Sequence, residues 1–259
     1  MSPELKRKVG AAMATLLIAA LVTSCSQREA ALSPLIVENP RKAGRDRPAP
    51  ASGTFDFYLM AMTAHPAFCA DGNSRRRECA SANPRPLVIH GLWPERMAPR
   101  TYPHDCPAPA LALDAALALE LADLMPGMAD GLHEHEWREH GGCSGLDDDA
   151  YFRHALELTR HVDGALHAIL TTRAGGETTA GELRSTADMF SPGLGRTLTF
   201  HCRTLRDAHS RRPYLIEVRQ CVDNDGPGGA PGTALACAVV KRRDQGCGAS
   251  FLVAGETVR

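Results

Sequence analysis

The apolar positions in the first half of this chain predict two strands. The run "TFDFYLMAMTA", residues 54–64, is apolar on both alternating faces, which is typical of a strand covered on both sides. The run "PLVIHGLWP", residues 86–94, predicts a second short strand that leads into a turn. Both strands precede the first segment with helical periodicity.

Three later segments follow the 3.6-residue period of a helix. Residues 113–125 place leucines and a methionine on one stripe, and the dipeptide Pro126-Gly127 ends it. A longer stripe covers residues 152–169, and we expect Asp149 to be its N-cap. The pattern "TAGE", residues 179–182, is a capping box and predicts a third helix.

The remaining chain returns to short β-prone runs. They are separated by Gly- and Pro-rich turns and read "TLTFHCRTL", "RRPYLIEVRQCV", "TALACAVV" and "GASFLVAG". Strands, then helices, then strands predict an α+β fold, in which a largely antiparallel central sheet is flanked by helices.

The N-terminus has the composition of an export signal. Three basic residues at 6–8 precede an apolar run, residues 9–22, that is too short to span a bilayer comfortably. The following "VTSC" resembles a bacterial lipobox, in which Cys25 becomes the lipidated first residue, although ordinary cleavage nearby with an incidental Cys25 is the alternative. We expect a lipoprotein-type signal peptide at residues 1–24, a Pro- and Arg-rich flexible tether at 25–52 and one folded domain at 53–259.

Composition narrows the classes of partner. A length of 259 residues with 44% hydrophobic residues suits one sizeable domain, and a net charge of −1 carries no overall sign that would attract nucleic acid or an anionic membrane. A polyanion site must therefore be a local patch. The basic runs at residues 75–77 and 241–243 either contribute to such a patch or keep their loops soluble.

The cysteines indicate a disulfide framework. Apart from Cys25, eight remain, which is an even number in a chain predicted to be exported. No CxxC pair occurs, which argues against zinc ribbons and thioredoxin-like redox chemistry. Eight cysteines permit about 105 pairings, so the sequence alone leaves the connectivity open.

The stretch "HEHEWREHGGC", residues 133–143, concentrates titratable groups on two helical turns. As one helix it places Glu136 four residues before His140, and His135 four before Glu139. A carboxylate beside an imidazole stabilises the charged ring and orients it, which favours general acid/base catalysis; a solvated helix end is the alternative. The metalloprotease spacing HExxH is absent, because His140 comes five residues after His135, and we predict no metal site.

A second stretch, "VIHGLWPE", places His90 at the end of an apolar strand. By itself it is consistent with a strand end that has a packed histidine and tryptophan. Together, "IHGLWPE" and "HEWREHGGC" resemble the two active-site segments of the ribonuclease T2 family, HGLWP and EWxKHGxC. The similarity covers residues 54–252 and includes the opening strand "FDFYLMAMTAHPAFC", the helix end "LADLMPG" and the late strand "YLIEVRQCVD".

The resemblance implies a metal-independent, cofactor-free endoribonuclease. Its roles, transferred by motif position, make His140 the base that deprotonates a ribose 2′-hydroxyl and His90 the acid that protonates the leaving 5′-oxygen. Glu136 would stabilise the transition state and His135 would contact phosphate. Imidazoles suit both proton transfers because their ordinary pKa is near about 6.5, and the need for a 2′-hydroxyl selects RNA over DNA.

The resemblance also implies a base-binding region and a disulfide pattern. Trp93 would stack on a base and Glu95 would contribute to base preference. The products would be 2′,3′-cyclic phosphates. The implied disulfide pairs are Cys106–Cys143, Cys202–Cys247, Cys221–Cys237 and, from the two cysteines that remain, Cys69–Cys79.

The chain departs from the family pattern at two positions. Glu139 stands where the family has a lysine, and reversing a charge beside a reacting phosphate changes the barrier by about a few kcal/mol. Our hypothesis is that Arg138, or an arginine of "RTLRDAHSRRP", supplies the missing charge; for Arg138 this requires a distorted helix, because adjacent helical positions point about 100° apart. Ala64 stands where the family has a tryptophan, which leaves either a smaller aromatic wall or altered packing.

The sequence therefore predicts an exported, T2-type endoribonuclease of the periplasm or cell envelope. Its partner is RNA, its contact with a membrane is limited to a lipid at Cys25, and we expect a monomer. The alternative is a catalytically impaired module of the same fold that binds RNA or an envelope partner. Retention of His90, Glu136 and His140 favours the enzyme, because a binding module has no need of three proton-handling groups.

Overall fold

The computed structural model describes residues 53–80, 85–97, 102–206, 210–226 and 231–255. The predicted signal peptide, Cys25 and the predicted tether lie outside these ranges. None of the helices within them combines the length and the apolar character needed to cross a membrane.

The described residues form six strands and six α-helices. The strands are β1 Phe57–Ala64, β2 Leu87–Glu95, β3 Glu177–Thr178, β4 Leu198–Arg203, β5 Tyr214–Asp223 and β6 Phe251–Leu252. The helices are α1 His65–Phe68, α2 Ala115–Leu124, α3 Leu132–Glu136, α4 Gly142–Ser144, α5 Asp148–Thr172 and α6 Ala180–Phe190. A π-helical turn, Trp137–Gly141, joins α3 to α4, and short 3₁₀ turns cover Arg77–Cys79, Pro126–Asp130 and Gly195–Thr197.

The strands pair into one mixed sheet that is mainly antiparallel. Its order is β2-β1-β5-β6-β3, with β4 on the remaining side of β5, and only β5 and β6 run parallel. The predicted α+β fold is confirmed. Strand β1 pairs with β2 on one side and with β5 on the other, so it lies between them.

Both faces of β1 are covered, as its apolar pattern predicts. Tyr58, Met60 and Met62 point into the main core beneath the helices. Phe57 and Leu59 point to the opposite face, where a smaller cluster covers them. This second face continues along the sheet to the residues of the two motifs.

The long helix α5 forms the main support of the sheet. It packs against β1 and β2 and also contacts α2 and α6. The predicted N-cap at Asp149 is wrong, because the side chain of Asp147 accepts the hydrogen bond from the Ala150 amide. Asp149 instead accepts from the Asp114 amide and links the start of α5 to the start of α2. The third predicted helix is α6, and Thr179 caps it by accepting from the Glu182 amide.

The predicted strand in "TALACAVV" is also wrong. This segment contains turns, and its sheet-like pairing is a single bridge between Ala234 and Val222. Cys237 lies within it and is bonded to Cys221 of β5. The disulfide and the bridge therefore hold this segment against the sheet, although it does not form a strand.

Candidate active site

A β-bulge places His90 at the site. Ala61 of β1 pairs with Gly91, and the next residue, Met62, pairs with Ile89, so His90 has no partner residue across this strand pair. Such a bulge turns one side chain away from the regular alternation of the strand. The His90 ring is about one-third exposed and reaches toward β5.

The side chain of His90 is hydrogen-bonded to Glu217 of β5. Oε1 of Glu217 lies 2.7 Å from His90 Nδ1, and Oε2 of Glu217 accepts a hydrogen bond from Arg219 Nε. Because Nδ1 faces Glu217, the other ring nitrogen, Nε2, is left for proton transfer. Nε2 lies 4.0 Å from Oε1 of Glu136.

Glu136 is buried under the first motif. Its Oε2 accepts a hydrogen bond from Trp93 Nε1 at 2.8 Å. A Cβ atom at position 91 would lie 1.9 Å from that oxygen, so Gly91 is the residue that gives the carboxylate its room. The sequence predicted a pair between Glu136 and His140, whereas the carboxylate contacts Trp93 and His90 of β2.

The second motif is not one regular α-helix as predicted. It begins as α3, continues through the π-helical turn Trp137–Gly141 and ends in α4. A Cβ at position 141 would lie 2.2 Å from the Trp137 ring, and one at position 142 would lie 2.6 Å from Ala108 Cβ. The two glycines of the motif therefore let the turn pack closely against its surroundings, and π-helical turns often occur at functional sites.

His140 lies in this turn against aromatic rings. Its ring centroid is 5.6 Å from that of Trp93 and 5.7 Å from that of Tyr102. Its Nδ1 is buried and has no hydrogen-bond partner among the residues that the structure describes. Burial, together with the charges of His135 and His90, lowers the pKa of His140 to about 4, so that the ring is neutral at neutral pH.

The opposite shift occurs at His90. Burial lowers the pKa of His90, but the hydrogen bond to Glu217 and the charges of Glu217 and Glu136 outweigh it, and the net pKa lies above its ordinary value. Burial also raises the pKa of Glu136 to about 7. The site therefore contains one imidazole that favours the protonated form and one that favours the neutral form.

His90 faces a cleft of about 520 Å³. Three arginines, Arg76, Arg203 and Arg219, line it together with His135. Arg203 is paired with the buried carboxylate of Asp71. Arg219 is paired with Glu217, and the same carboxylate binds His90. Three carboxylates, Glu78, Asp130 and Glu217, line the same cleft, so its arginines and acids balance and any attraction for a polyanion depends on individual arginines.

The comparison with known families agrees with the two motifs. The family model described as "Ribonuclease T2 family" matches residues 55–228. The chain belongs to the ribonuclease T2 family. The resemblance inferred from the motifs is thereby confirmed.

Relatives within the ribonuclease T2 family include bacterial and plant proteins. A ribonuclease from Aeromonas hydrophila is 37% identical over 107 residues, which cover 41% of this chain and 46% of the relative; the chain thus matches about half of that protein's length. Ribonuclease 1 of Arabidopsis thaliana is 28% identical over 193 residues, which cover 69% of this chain and 80% of the relative.

Solved structures of T2 ribonucleases share the fold. RNase NT in complex with 5′-AMP aligns with a TM-score of 0.60 at 20% identity and covers 77% of this chain and 98% of its own. A mutant of RNase MC1 in complex with 5′-GMP aligns with a TM-score of 0.58 at 26% identity and covers 76% of this chain and 100% of its own.

Several predicted ribonuclease T2 site residues meet in the structure. His90, Trp93, Glu136 and His140 form one group, in which the Trp93 ring lies beside both histidines. Glu95 lies apart from this group. It is buried and forms an ion pair with Arg242, whose guanidinium lies over the Phe57 ring. The charge of the Glu95 carboxylate is therefore already balanced by Arg242.

The residues around the family's lysine position pair among themselves. Arg138 Nη2 lies 3.1 Å from His135 Nδ1 and 3.2 Å from Glu139 Oε1. His135 Nδ1 is also 3.9 Å from Glu139 Oε1, as the predicted four-residue spacing requires. Arg138 lines a different cavity, beside Trp137 and Leu111, rather than the cleft of His90. Its charge is bound by Glu139 and is not directed at the cleft.

Sequence reasoning missed Glu217 and Arg219. Both come from the late strand "YLIEVRQCVD", which resembles the family but lies outside its two active-site motifs. Their alternation on β5 places them on the same face, where Glu217 pairs with Thr63 and Arg219 with Ala61 of β1. The sequence signal was two charged residues in the interior of a largely apolar strand, because a charge in a central strand needs a nearby partner.

Four disulfides stabilise the domain, with the pairings that the resemblance implies. They are Cys69–Cys79, Cys106–Cys143, Cys202–Cys247 and Cys221–Cys237. Cys143 belongs to α4, directly after the π-helical turn of His140. Its bond to Cys106 therefore fixes the end of the second motif.

One group of potential metal ligands lies outside the site. Within the described ranges, His65, Cys69 and Cys79 bring their donor atoms within 4.8 Å of one another. The two sulfur atoms are bonded to each other, so they are not available as thiolate ligands.

Proposed function

We propose that this chain is a metal-independent endoribonuclease that cleaves single-stranded RNA through attack of a ribose 2′-hydroxyl on the adjacent phosphorus. The observation that carries the proposal is the meeting of two imidazoles in one site, where Glu217 holds Nδ1 of His90 and the ring of Trp93 lies beside both histidines. The opposite shifts of their pKa values support it. His140 has its pKa lowered to about 4, and the pKa of His90 is raised. A reaction that removes one proton and delivers another needs both forms at the same pH.

The proposed reaction assigns one step to each group. Neutral His140 takes the proton of the 2′-hydroxyl, and the new bond forms between this oxygen and phosphorus. Protonated His90 gives its proton from Nε2 to the departing 5′-oxygen as the bond from phosphorus to that oxygen breaks. Glu136 lies 4.0 Å from the same Nε2 and orients it. The products are a 2′,3′-cyclic phosphate and a free 5′-hydroxyl.

His135 and Trp93 are proposed to contact the substrate. His135 lines the cleft beside His90 and can contact a phosphate there. Trp93 is proposed to stack on a base beside the histidines, with Arg219 on its ring at 5.1 Å. The buried pair of Glu95 with Arg242 limits any part of Glu95 in base preference to an indirect one, through the packing of this edge.

The relatives support this activity. The matching proteins from Aeromonas hydrophila and Arabidopsis thaliana carry the name ribonuclease, and structural relatives were solved with the nucleotides 5′-AMP and 5′-GMP. A nucleotide ligand in the same fold agrees with RNA as the substrate class.

We further propose that the protein is exported to the periplasm or cell envelope and works as a monomer. Four disulfides agree with an oxidising compartment. The basic and apolar segments of residues 1–24 support a signal peptide, and Cys25 supports a lipid anchor. Mass spectrometry of the protein from a membrane fraction distinguishes a lipid-anchored protein from one that is cleaved without lipidation. A diacylglyceryl group on Cys25 is expected for the anchored protein.

The test of function is cleavage of RNA in the presence of EDTA. The full chain with its disulfides formed is incubated with an RNA oligonucleotide and with its DNA counterpart, and the products are resolved by mass. We expect 2′,3′-cyclic phosphate from RNA alone and loss of product in the variant His140→Ala. Binding of RNA that stays intact across the pH range would refute the enzyme and favour the catalytically impaired binding module.

A further inference from the structure

Glu139 leaves the ribonuclease site without the cation that its family carries in the second motif. The attack on phosphorus increases the negative charge on the two non-bridging oxygens, and a positive group nearby stabilises that change. Arg138 does not supply this charge, because it pairs with Glu139 and faces another cavity. The compensating cation must therefore come from another element.

Arg219 of β5 has the required position. Its guanidinium carbon lies 5.1 Å from the centre of the Trp93 ring, and its side chain lines the same cleft as His90 and His135. Its Nε donates to Glu217, while its two Nη groups have no hydrogen-bond partner within the described part of the chain. A guanidinium with free Nη groups can bind two oxygens of one phosphate.

Glu217 connects this arginine to the acid. One carboxylate binds His90 through Oε1 and Arg219 through Oε2. Two cations that share one carboxylate retain a net positive charge, and both are held on the same side of the cleft. The carboxylate is buried, so solvent screens its attraction to the two cations less than it would at the surface.

We propose that Arg219 binds the reacting phosphate in place of the family's lysine, and that Glu217 is a positioning residue that holds Arg219 and His90 together. This assignment rests on the proposed ribonuclease function. The positive charge has moved from the catalytic helix to the neighbouring strand, and Glu139 is tolerated because Arg138 neutralises it. Arg219 then binds the negative charge that develops on the phosphate oxygens. Meanwhile His140 takes the proton of the 2′-hydroxyl, and His90 gives its proton to the departing 5′-oxygen.

The experiment measures cleavage of a dinucleoside monophosphate, which contains a single phosphate. For Arg219→Ala we expect kcat to fall by about 10²- to 10³-fold, as when one transition-state donor is lost, and KM to change far less. Arg219→Lys should recover part of this loss. The matched control is Arg184→Ala, because Arg184 also pairs with a carboxylate, Asp244, and lies 5.0 Å from an aromatic ring, Phe200, but outside the site.

A second substitution separates charge from folding. Returning the family's residue in the double variant Arg219→Ala with Glu139→Lys should raise kcat at least tenfold over Arg219→Ala alone, whereas Glu139→Lys in the unsubstituted chain should have a smaller effect. A structural defect at position 219 of β5 would not be rescued by a positive charge placed in the separate π-helical turn Trp137–Gly141. If Arg219→Ala behaves like Arg184→Ala, the assignment is refuted. If the unsubstituted chain leaves the substrate intact, the proposed function itself fails.

The positioning role of Glu217 is tested by the pH profile of Glu217→Gln. The amide keeps the size of the side chain and removes the negative charge, so the alkaline limb of kcat/KM, which follows His90, should move to lower pH while the acidic limb stays in place. An unmoved alkaline limb would overturn this role. The titratable and charged groups that face His90 are Glu217 and Arg219 of β5, Glu136 of α3, His140 of the π-helical turn and Glu78 of the nearby 3₁₀ turn.

Discussion

Replacing Gly91 by alanine should reduce both the catalytic rate and the stability of the fold. A Cβ at this position would lie 1.9 Å from Glu136 Oε2 and 2.5 Å from Trp93 Nε1. Restoring an ordinary contact of 3.4 Å requires the carboxylate oxygen to move by about 1.5 Å, since 3.4 − 1.9 = 1.5. The 2.8 Å hydrogen bond between Trp93 and Glu136 cannot survive that displacement in its present geometry.

The magnitude follows from these two changes. Because the pKa of Glu136 is raised to about 7, its carboxyl group is only partly ionised at neutral pH, and loss of this hydrogen bond should lower the free energy of unfolding by about 1–3 kcal/mol. A displacement of about 1 Å at a catalytic group can reduce the rate by about 10²-fold, so we expect kcat to fall by at least that factor. The backbone at Gly91 does not have a positive φ, so the expected effect comes from space and not from strain.

The assay combines steady-state cleavage of a dinucleoside monophosphate with denaturant unfolding of the same samples. Gly181→Ala is the control, because its Cβ would meet nothing closer than Thr179 Oγ1 at 3.8 Å and alanine favours the helix. If Gly91→Ala retained full kcat with a normal unfolding curve, the position of Glu136 would not matter for catalysis, and its place in the site would have to be abandoned.

Three further predictions concern pH and stability. The value of kcat/KM should rise through about pH 4 as His140 loses its proton. It should fall above pH 6.5 as His90 loses its proton. A value that still rises above pH 8 would reverse the assignment of acid and base. Replacing Cys106 and Cys143 by serine opens a loop of 37 residues and should lower the free energy of unfolding by about 4 kcal/mol, with loss of activity before global unfolding in a urea titration; unchanged activity at intermediate urea would show that the bond does not fix the site. Asp147→Ala should lower the free energy of unfolding by about 1 kcal/mol through loss of the α5 N-cap, and a shift smaller than that of a surface substitution would contradict the cap.

The strands β1, β2 and β5 and the helices α2, α5 and α6 were predictable because each has a long apolar pattern or a clear boundary signal. The two motifs likewise located His90, Glu136 and His140. Local patterns could not select the cap of α5, because three aspartates occur in succession and tertiary contacts decide among them. Asp149 is bound to the Asp114 amide, and Asp147 is left to cap the helix.

The rest of the site depends on contacts between distant segments. His90 and Glu217 are 127 residues apart, and they meet only because β2 and β5 pair with opposite sides of β1. The π-helical turn depends on the packing of Gly141 against Trp137, which a helical wheel does not include. The sequence also offered Arg138 as the replacement cation, and its binding to Glu139 appears only once side-chain positions are known.

The strand β1 carries none of the proton-handling side chains of this site, yet it determines whether the site exists. The two halves of the hydrogen bond between His90 and Glu217 belong to its two neighbours, and the bulge opposite Ala61 and Met62 sets where His90 points. A slip of one residue in the pairing of β1 with β2 or with β5 would separate His90 from Glu217 without removing any side chain of the site. Enzyme activity is therefore a readout of strand register, and during refolding it should return only after β1 has found both partners.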